Sequence, residues 1–284
     1  MIQYPITLNG TQVRVLEAGT GNRHMIFIHG VGARADRWKN NLEELAVEGF
    51  HTYAIDLPGH GFSEKNASIP CTVPEYAALV HSLISQFEEG DVYLVGTSLG
   101  GHIAATVTCE NPNLIKGLAL VGTVGITEIG LERRKRTQDL VGKTSWEAIG
   151  QKLHAVLHDD ALVTESLQKE EHYINNSKGA AEAFEKVSSY FGNDLDTDVV
   201  GNRLKDLVDV IPTVIVWGRQ DIGFPLELGE SAHQLLDGSH FAIIDNAGHA
   251  PYFEKPDAFN QIITQFFANQ LGNEQIQGVE IVGN

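Results

Sequence analysis

Ser98 sits in the segment Gly96-Thr97-Ser98-Leu99-Gly100-Gly101. A short apolar run, residues 92–95, precedes it, and a stretch of helical character, residues 98–110, follows. A serine on so tight a strand-to-helix turn is held in strained backbone geometry, and the residues two positions to either side must be small. Gly96 and Gly100 meet that need. The strain pushes the hydroxyl out of the sheet edge, and the first helical turn leaves backbone N–H groups free beside it. The chemistry this points to is nucleophilic attack by Ser98.

Such a serine needs a histidine base, and the base needs a carboxylate to fix its tautomer and orientation. The chain has 12 histidines, so placement decides. His249 lies in Asn246-Ala247-Gly248-His249-Ala250-Pro251, just beyond the last expected sheet strand, residues 241–245. Loops at the carboxyl ends of parallel strands are where the sites of α/β proteins form. His102 is one helical turn past Ser98 and points along the helix. His29, His51 and His60, in or beside strand ends, read as structural, and the others as surface or core residues. The expected carboxylate is Asp221, which closes Trp217-Gly218-Arg219-Gln220-Asp221 directly after a strand at 213–217. Asp245 competes with it, but it is only four residues before His249 on the same loop. Asp56 reads as a turn-forming acid. For the oxyanion, the backbone N–H groups of Leu99 and of Val31, in His29-Gly30-Val31-Gly32, are the expected donors. Such a donor contributes ~3 kcal/mol to the transition state.

The elements that must position these groups follow from the hydrophobic pattern. Residues 3–8 and 11–18 read as a hairpin joined by Asn9-Gly10. Residues 25–28, 51–55, 92–95 and 117–121 are short apolar runs, the pattern of strands buried on both faces. Helices are expected at 36–48, with Asp36 as N-cap, at 74–87 and at 98–110. The alternation breaks near Gly122. Only helical patterns follow, at 131–141, 145–157, 161–175, 180–191 and, weakly, from 198. Alternation resumes with a strand at 213–217, a helix at 226–236, a strand at 241–245 and a helix at 256–271. The fold class expected is α/β, a mostly parallel eight-stranded sheet flanked by helices. Residues 1–124 and 210–272 would form the core, 125–209 an inserted helical cap, and 273–284 a tail. Residues 279–282 of that tail read either as an edge strand or as disordered chain.

The chain resembles an α/β-hydrolase from about residue 3 to residue 271. The resemblance rests on the Gly96–Gly101 turn, the His29-Gly30 loop, Asp56-Leu57-Pro58-Gly59-His60-Gly61-Phe62-Ser63, Trp217-Gly218-Arg219-Gln220-Asp221 and Gly248-His249, in that order. It is closest to cap-bearing carboxylesterases and to the carbon–carbon hydrolases that cleave ring meta-cleavage products. The resemblance implies a cap inserted after the sixth strand and a triad of Ser98, Asp221 and His249. The nucleophile is Ser98 rather than Asp, unlike haloalkane dehalogenases and epoxide hydrolases. Meta-cleavage hydrolases commonly carry Asn before the serine, Met after it and Trp after the histidine. Here those positions are Thr97, Leu99 and Ala250. That family also holds a substrate carboxylate with an arginine. Arg133, Arg134 and Arg136 are the candidates, although Glu132-Arg133-Arg134-Lys135-Arg136 equally reads as a solvated helix face.

The function expected is a serine hydrolase cleaving a small acyl compound, most simply a carboxylic ester, through an acyl-enzyme. The alternatives are carbon–carbon cleavage of a vinylogous diketone and a ligand receptor with little turnover. A cap cation facing Ser98 would favour the carbon–carbon reading, and a wholly apolar cap face the ester. Pocket candidates are Gly30, Trp146, Leu153, Phe184, Phe191 and Phe224, with core packing as the alternative for each cap residue. No cofactor and no metal is expected.

Composition agrees with this class. The formal charge is −17, from 20 basic and 37 acidic residues. That balance argues against a nucleic-acid partner and against an anionic membrane surface. The expected partner is a small-molecule substrate, with a homodimer left open as the assembly. No apolar run approaches the ~18 residues of a membrane span. The first residues have neither a basic start nor an apolar core, so a signal peptide is not expected and the location expected is cytoplasmic. Cys71 and Cys109 read as reduced thiols.

Overall fold

The computed structural model describes residues 1–66, 68–69 and 71–282. Asn9 and Gly10 both take positive φ, 48° and 80°, and turn β1 (Ile2–Leu8) back onto β2 (Thr11–Ala18) as an antiparallel hairpin. The apolar runs become β3 (Arg23–Ile28), β4 (His51–Ile55), β5 (Asp91–Thr97), β6 (Ile115–Val121), β7 (Thr213–Gly218) and β8 (His240–Ile244). These six pair in parallel, and their side chains are almost wholly buried. Burial on both faces is why they read as continuous apolar runs rather than as alternating ones.

The sheet has nine strands among the described residues, one more than expected. The extra strand is β9 (Val279–Val282), in the tail, paired antiparallel with β8. It covers the β8 edge, which would otherwise present unpaired backbone groups. Residues 283 and 284 of the tail lie outside the described residues.

Helices α1 (Lys39–Val47), α2 (Val73–Ile84) and α3 (Leu99–Glu110) come from the first half of the chain. A capping box of Thr72 and Glu75 starts α2. Asp36 does not cap α1, because it lies in a single 3₁₀ turn, Ala35–Trp38, and its carboxylate is taken by Arg14 and Arg34. Between β6 and β7 come α4 (Leu131–Gly142), α5 (Trp146–Val156), α6 (Glu165–Asn175), α7 (Ala180–Asn193) and the single turn α8 (Gly201–Leu204). Ser145 and Thr164 cap α5 and α6 through their side chains. The chain closes with α9 (Leu226–Leu235), α10 (Pro251–Glu254) and α11 (Pro256–Phe267).

Two cores flank the sheet. One buries Tyr76 and Leu79 of α2 and Ile103 and Val107 of α3, and it runs on without a break into Phe184, Val187 and Phe191 of α7. The other buries Trp38, Leu42 and Leu45 against Phe259, Ile262 and Ile263 of α11. In the register, Ile28 faces Gly96 and Thr97 faces Val121. The carboxyl ends of β3, β5 and β6 are therefore level, and the loops that follow them open at one edge of the sheet.

Candidate active site

Ser98 has φ 53° and ψ −119°, backbone that side-chain-bearing residues rarely adopt. The turn is enforced by what surrounds it. A Cβ added at Gly96 would lie 2.2 Å from the Gly100 carbonyl oxygen, and one at Gly100 would lie 2.2 Å from that of Ile28. Only glycine lets β5 hand over to α3 so closely beside β3. The Gly101 and His102 N–H groups bond the Ser98 carbonyl, so Leu99 is the first helical residue. Its N–H therefore has no partner within the helix.

Asp221 and His249 come from the loops after β7 and β8. The His249 Nδ1–H donates to Asp221 Oδ2 at 2.6 Å. The other carboxylate oxygen accepts the N–H groups of Gly223 and Phe224, at 2.9 and 2.8 Å. The Asp221 side chain is fully buried and that of His249 is 11% exposed. With Nδ1 engaged, Nε2 is the nitrogen left to act on a substrate or a nucleophile. Burial lowers the pKa of this ring. The charge and hydrogen bond of Asp221 and the charge of Glu254 outweigh it, and the net shift is upward. Asp245 is turned elsewhere, onto Arg219 at 2.6 Å. His102 bonds the Asp198 carbonyl at 2.9 Å.

Asp56 is fully buried and accepts the N–H groups of Ala35 and Phe62, both at 2.7 Å. It orders the loop that carries Val31. His29 orders the same loop from below. It accepts the Leu57 N–H at Nε2, so its Nδ1–H donates to the Gly30 carbonyl, at 2.7 Å. Burial pushes its pKa down to about 4, which keeps that arrangement neutral and fixed.

Two groups of contacts that the hydrophobic pattern did not reveal bind the inserted helices to these loops. Glu171 of α6 is buried and bonds Arg34 at 2.6 Å and Arg37 at 2.8 Å, while Asn175 donates to the Gly32 carbonyl at 3.2 Å. Glu254 accepts the Gly248 N–H on one oxygen and those of His158 and Asp159 on the other. The His249 N–H donates to the Val156 carbonyl at the end of α5, at 2.8 Å. Sequence could have flagged these residues only as charged or amide groups within amphipathic helices, because their partners lie far away along the chain.

Ser98 and His249 line one cavity of about 190 Å³, room for a small acyl compound. Gly30, Val31, Phe191 and Phe224 line it too, and the Phe224 ring stacks on His249 at 5.0 Å. Leu153 faces an adjoining cavity that shares Val31, Lys152 and Tyr252 with the first. Neither cavity is lined by Trp146 or Phe184. Trp146 is the first residue of α5, 36% exposed and edge-on to His172. Phe184 is buried against His60, behind Gly32.

The wall from α4 consists of Arg133, Arg136, Thr137, Leu140 and Val141, and α5 adds Lys152, Ala155 and Val156. Spacings of three and four put each set on one helical face. The basic run at 133–136 is thus divided between faces. Arg133 and Arg136 face the cavity, and Arg134 pairs with Asp196 at 3.0 Å.

Comparison with known proteins agrees with this architecture. A 2-hydroxy-6-oxononadienedioate/2-hydroxy-6-oxononatrienedioate hydrolase of Escherichia coli is 28% identical over 261 residues, covering 89% of each chain. A solved membrane phospholipase A, described as a bacterial virulence factor, superposes with a TM-score of 0.80 at 25% identity, covering 95% of this chain and 87% of that one. The 2-hydroxy-6-oxo-6-phenylhexa-2,4-dienoate hydrolase of Rhodococcus sp. superposes with a TM-score of 0.84 at 21% identity, covering 94% and 98%. The family model described as the alpha/beta hydrolase fold matches residues 23–256, and the chain belongs to that family as a hydrolase.

Proposed function

We propose that the chain is a serine hydrolase that cleaves a small acyl compound, a carboxylic ester, through an acyl-enzyme. The observation that carries this reading is one cavity lined by Ser98, on its strained turn, and by His249, hydrogen-bonded to a buried Asp221. In this reading Ser98 Oγ attacks the carbonyl and His249 Nε2 takes its proton. Asp221 holds the ring in the required tautomer and stabilises the imidazolium. The N–H groups of Leu99 and Val31 receive the charge that develops on the carbonyl oxygen. His249 then returns the proton to the leaving group, and water, activated by the same ring, releases the acid. The helices between β6 and β7 act as the cap of residues 125–209. They shield these steps from bulk water, which strengthens the oxyanion contacts in a lower dielectric.

A second reading, cleavage of a carbon–carbon bond in a meta-cleavage-type vinylogous diketone, is favoured by one observation. The cap wall of the cavity carries Arg133, Arg136 and Lys152 and is not wholly apolar. The Escherichia coli and Rhodococcus hydrolases are named for dienoate substrates of that kind. Thr97, Leu99 and Ala250, where such hydrolases commonly carry Asn, Met and Trp, support the ester. Purified protein assayed against short aryl esters and meta-cleavage dienoates separates the two. Turnover of esters alone supports the first, turnover mainly of dienoates the second. Labelling by a fluorophosphonate at a residue other than Ser98 would overturn both.

A further inference from the structure

We propose that Glu254 is a positioning residue for the base His249. It ties the loop that carries the histidine to the end of α5, so that the ring is held for reaction only while the inserted helices are seated on the sheet edge. The proposal rests on the hydrolase reading above and deepens it by naming what aligns the base and what releases it.

Glu254 closes α10, and its own N–H bonds the Ala250 carbonyl at 3.0 Å. The residue is therefore carried by the histidine loop. Its side chain turns back and is buried. Oε1 accepts the Gly248 N–H at 2.6 Å, and Oε2 accepts the N–H groups of His158 and Asp159 at 2.8 and 3.0 Å. An ionised carboxylate is an acceptor only, which suits three converging donors. One group thus bridges segments that lie 96 residues apart in the chain.

The histidine hangs from a run of three engaged amides. Gln220 accepts the Ala247 N–H at 3.2 Å, Glu254 accepts that of Gly248, and the Val156 carbonyl accepts that of His249 at 2.8 Å. A Cβ at Gly248 would lie 2.7 Å from the Val156 carbonyl oxygen and 3.0 Å from the His158 nitrogen. The end of α5 therefore meets this loop backbone to backbone, an approach only glycine allows.

Asp221 and Glu254 divide the work. Asp221 sets the rotation of the ring through Nδ1. Glu254 sets the backbone from which the ring hangs, and its charge supports the upward shift of His249. Glu171, the other buried acid at the contact with the inserted helices, is held by Arg34 and Arg37 beside the Val31 loop instead. If the end of α5 lifts, Glu254 loses two of its three donors and His249 loses its carbonyl partner in the same step. A buried carboxylate left short of donors is costly, so the contact forms as a unit.

The test compares Glu254→Gln and His158→Pro in the full chain, with 4-nitrophenyl acetate as substrate. Glutamine sets an NH2 group against N–H donors that the carboxylate accepts. Proline removes the His158 N–H and leaves Glu254 in place. Leu157, at φ −104° and ψ 129°, already has the extended backbone that precedes a proline. Glu254→Gln should lower kcat about tenfold and change KM less than about twofold. His158→Pro should lower kcat at least about threefold, and the two losses should not multiply in the double variant, because both break one bridge. The pH midpoint of the rate should fall in Glu254→Gln. The other charged groups near the ring are unchanged in that variant: Asp221, then Arg133, Arg136 and Lys152 across the cavity, and His158 and Asp159 at the end of α5. Amide hydrogen exchange reads the bridge without turnover. His158→Pro should speed exchange at Gly248 and His249, although neither is altered.

Full kcat and an unmoved midpoint in Glu254→Gln, even with a lower melting temperature, would mark a purely structural carboxylate and overturn the proposal. So would losses that multiply fully, or exchange at Gly248 and His249 that His158→Pro leaves unchanged. Should Glu254→Gln fail to fold, the rate and exchange of His158→Pro decide alone. A wild type that turns over neither esters nor dienoates but shows the linked exchange refutes the hydrolase reading and leaves the bridge between His249 and α5 standing.

Discussion

The loops at the carboxyl edge of the sheet and the helices packed over them build the same cavity by different means. The edge is specified locally. Gly96 and Gly100 have no room for a Cβ, Ser98 is forced to positive φ, and Asp221 is gripped by the N–H groups of the next two or three residues. The helical wall is specified at long range. Arg34 and Glu171 meet across 137 residues of sequence, and Glu254 reaches His158 across 96. The lesson is a division of labour. Short-range sterics shape the turn that carries Ser98, and contacts between residues distant in the chain tie the helices over it.

The sharpest way to break this comparison is at the edge. Ser98→Ala should lose activity by a factor on the order of 10⁴ or more while keeping its melting temperature. Steady-state turnover and thermal melting check both halves. Asp221→Asn should cost about 10⁴ in turnover by favouring the wrong tautomer. Asp245→Asn, which loses only a pairing with Arg219, should cost little, and the reverse order would sink the assignment of the orienting acid.

Effects on the helical side should be smaller in rate and larger in stability. Glu171→Ala removes the buried partner of Arg34, which keeps Asp36 at 2.9 Å and Glu170 at 2.8 Å, and should cost about 1–3 kcal/mol in denaturant unfolding. Because Glu171 and Asn175 also hold the Val31 loop, its kcat should fall while KM for a neutral ester changes less. A stability loss within error of zero would show that the helices are not tied to the loop in this way.

The pH profile gives a finer measure. His249 must be neutral to act as a base, and its pKa is shifted upward, so the rate should rise with pH through a midpoint above the usual value of ~6.5. Glu254 contributes to that shift, so Glu254→Gln should move the midpoint to lower pH. The smallest effect expected is that of Trp146→Ala. It lies outside the cavity and should leave acyl preference within about twofold, whereas Phe191→Ala, in the wall, should change it.

Legibility in the sequence follows the same divide. The Gly96–Gly101 turn, the parallel strands and the point near Gly122 where alternation stops were readable because backbone sterics and hydrophobic period are local properties. From the sequence, residues 279–282 read either as an edge strand or as disordered chain. Four residues, 279–282, become β9 only because the β8 edge is there to pair with them. Trp146 and Phe184, candidates either for the pocket or for core packing, lie outside the cavity lining. Size does not say which way a helix is rotated when it docks.

What the sequence by itself determined was the chemistry at the sheet edge: a serine whose neighbours leave no alternative backbone, and a histidine and an acid each one loop beyond a buried strand. Tertiary structure decided which of the two nearby acids faces His249, and which members of a basic run turn inward. Arg133 and Arg136 line the cavity while Arg134 pairs with Asp196, although all three share one turn of helix. A helix has every azimuth available until it packs, and the residues that set its packing are remote in the chain. That is why Lys152, on a face of α5 that reads only as amphipathic, joins the lining of the Ser98 cavity only once the fold is complete.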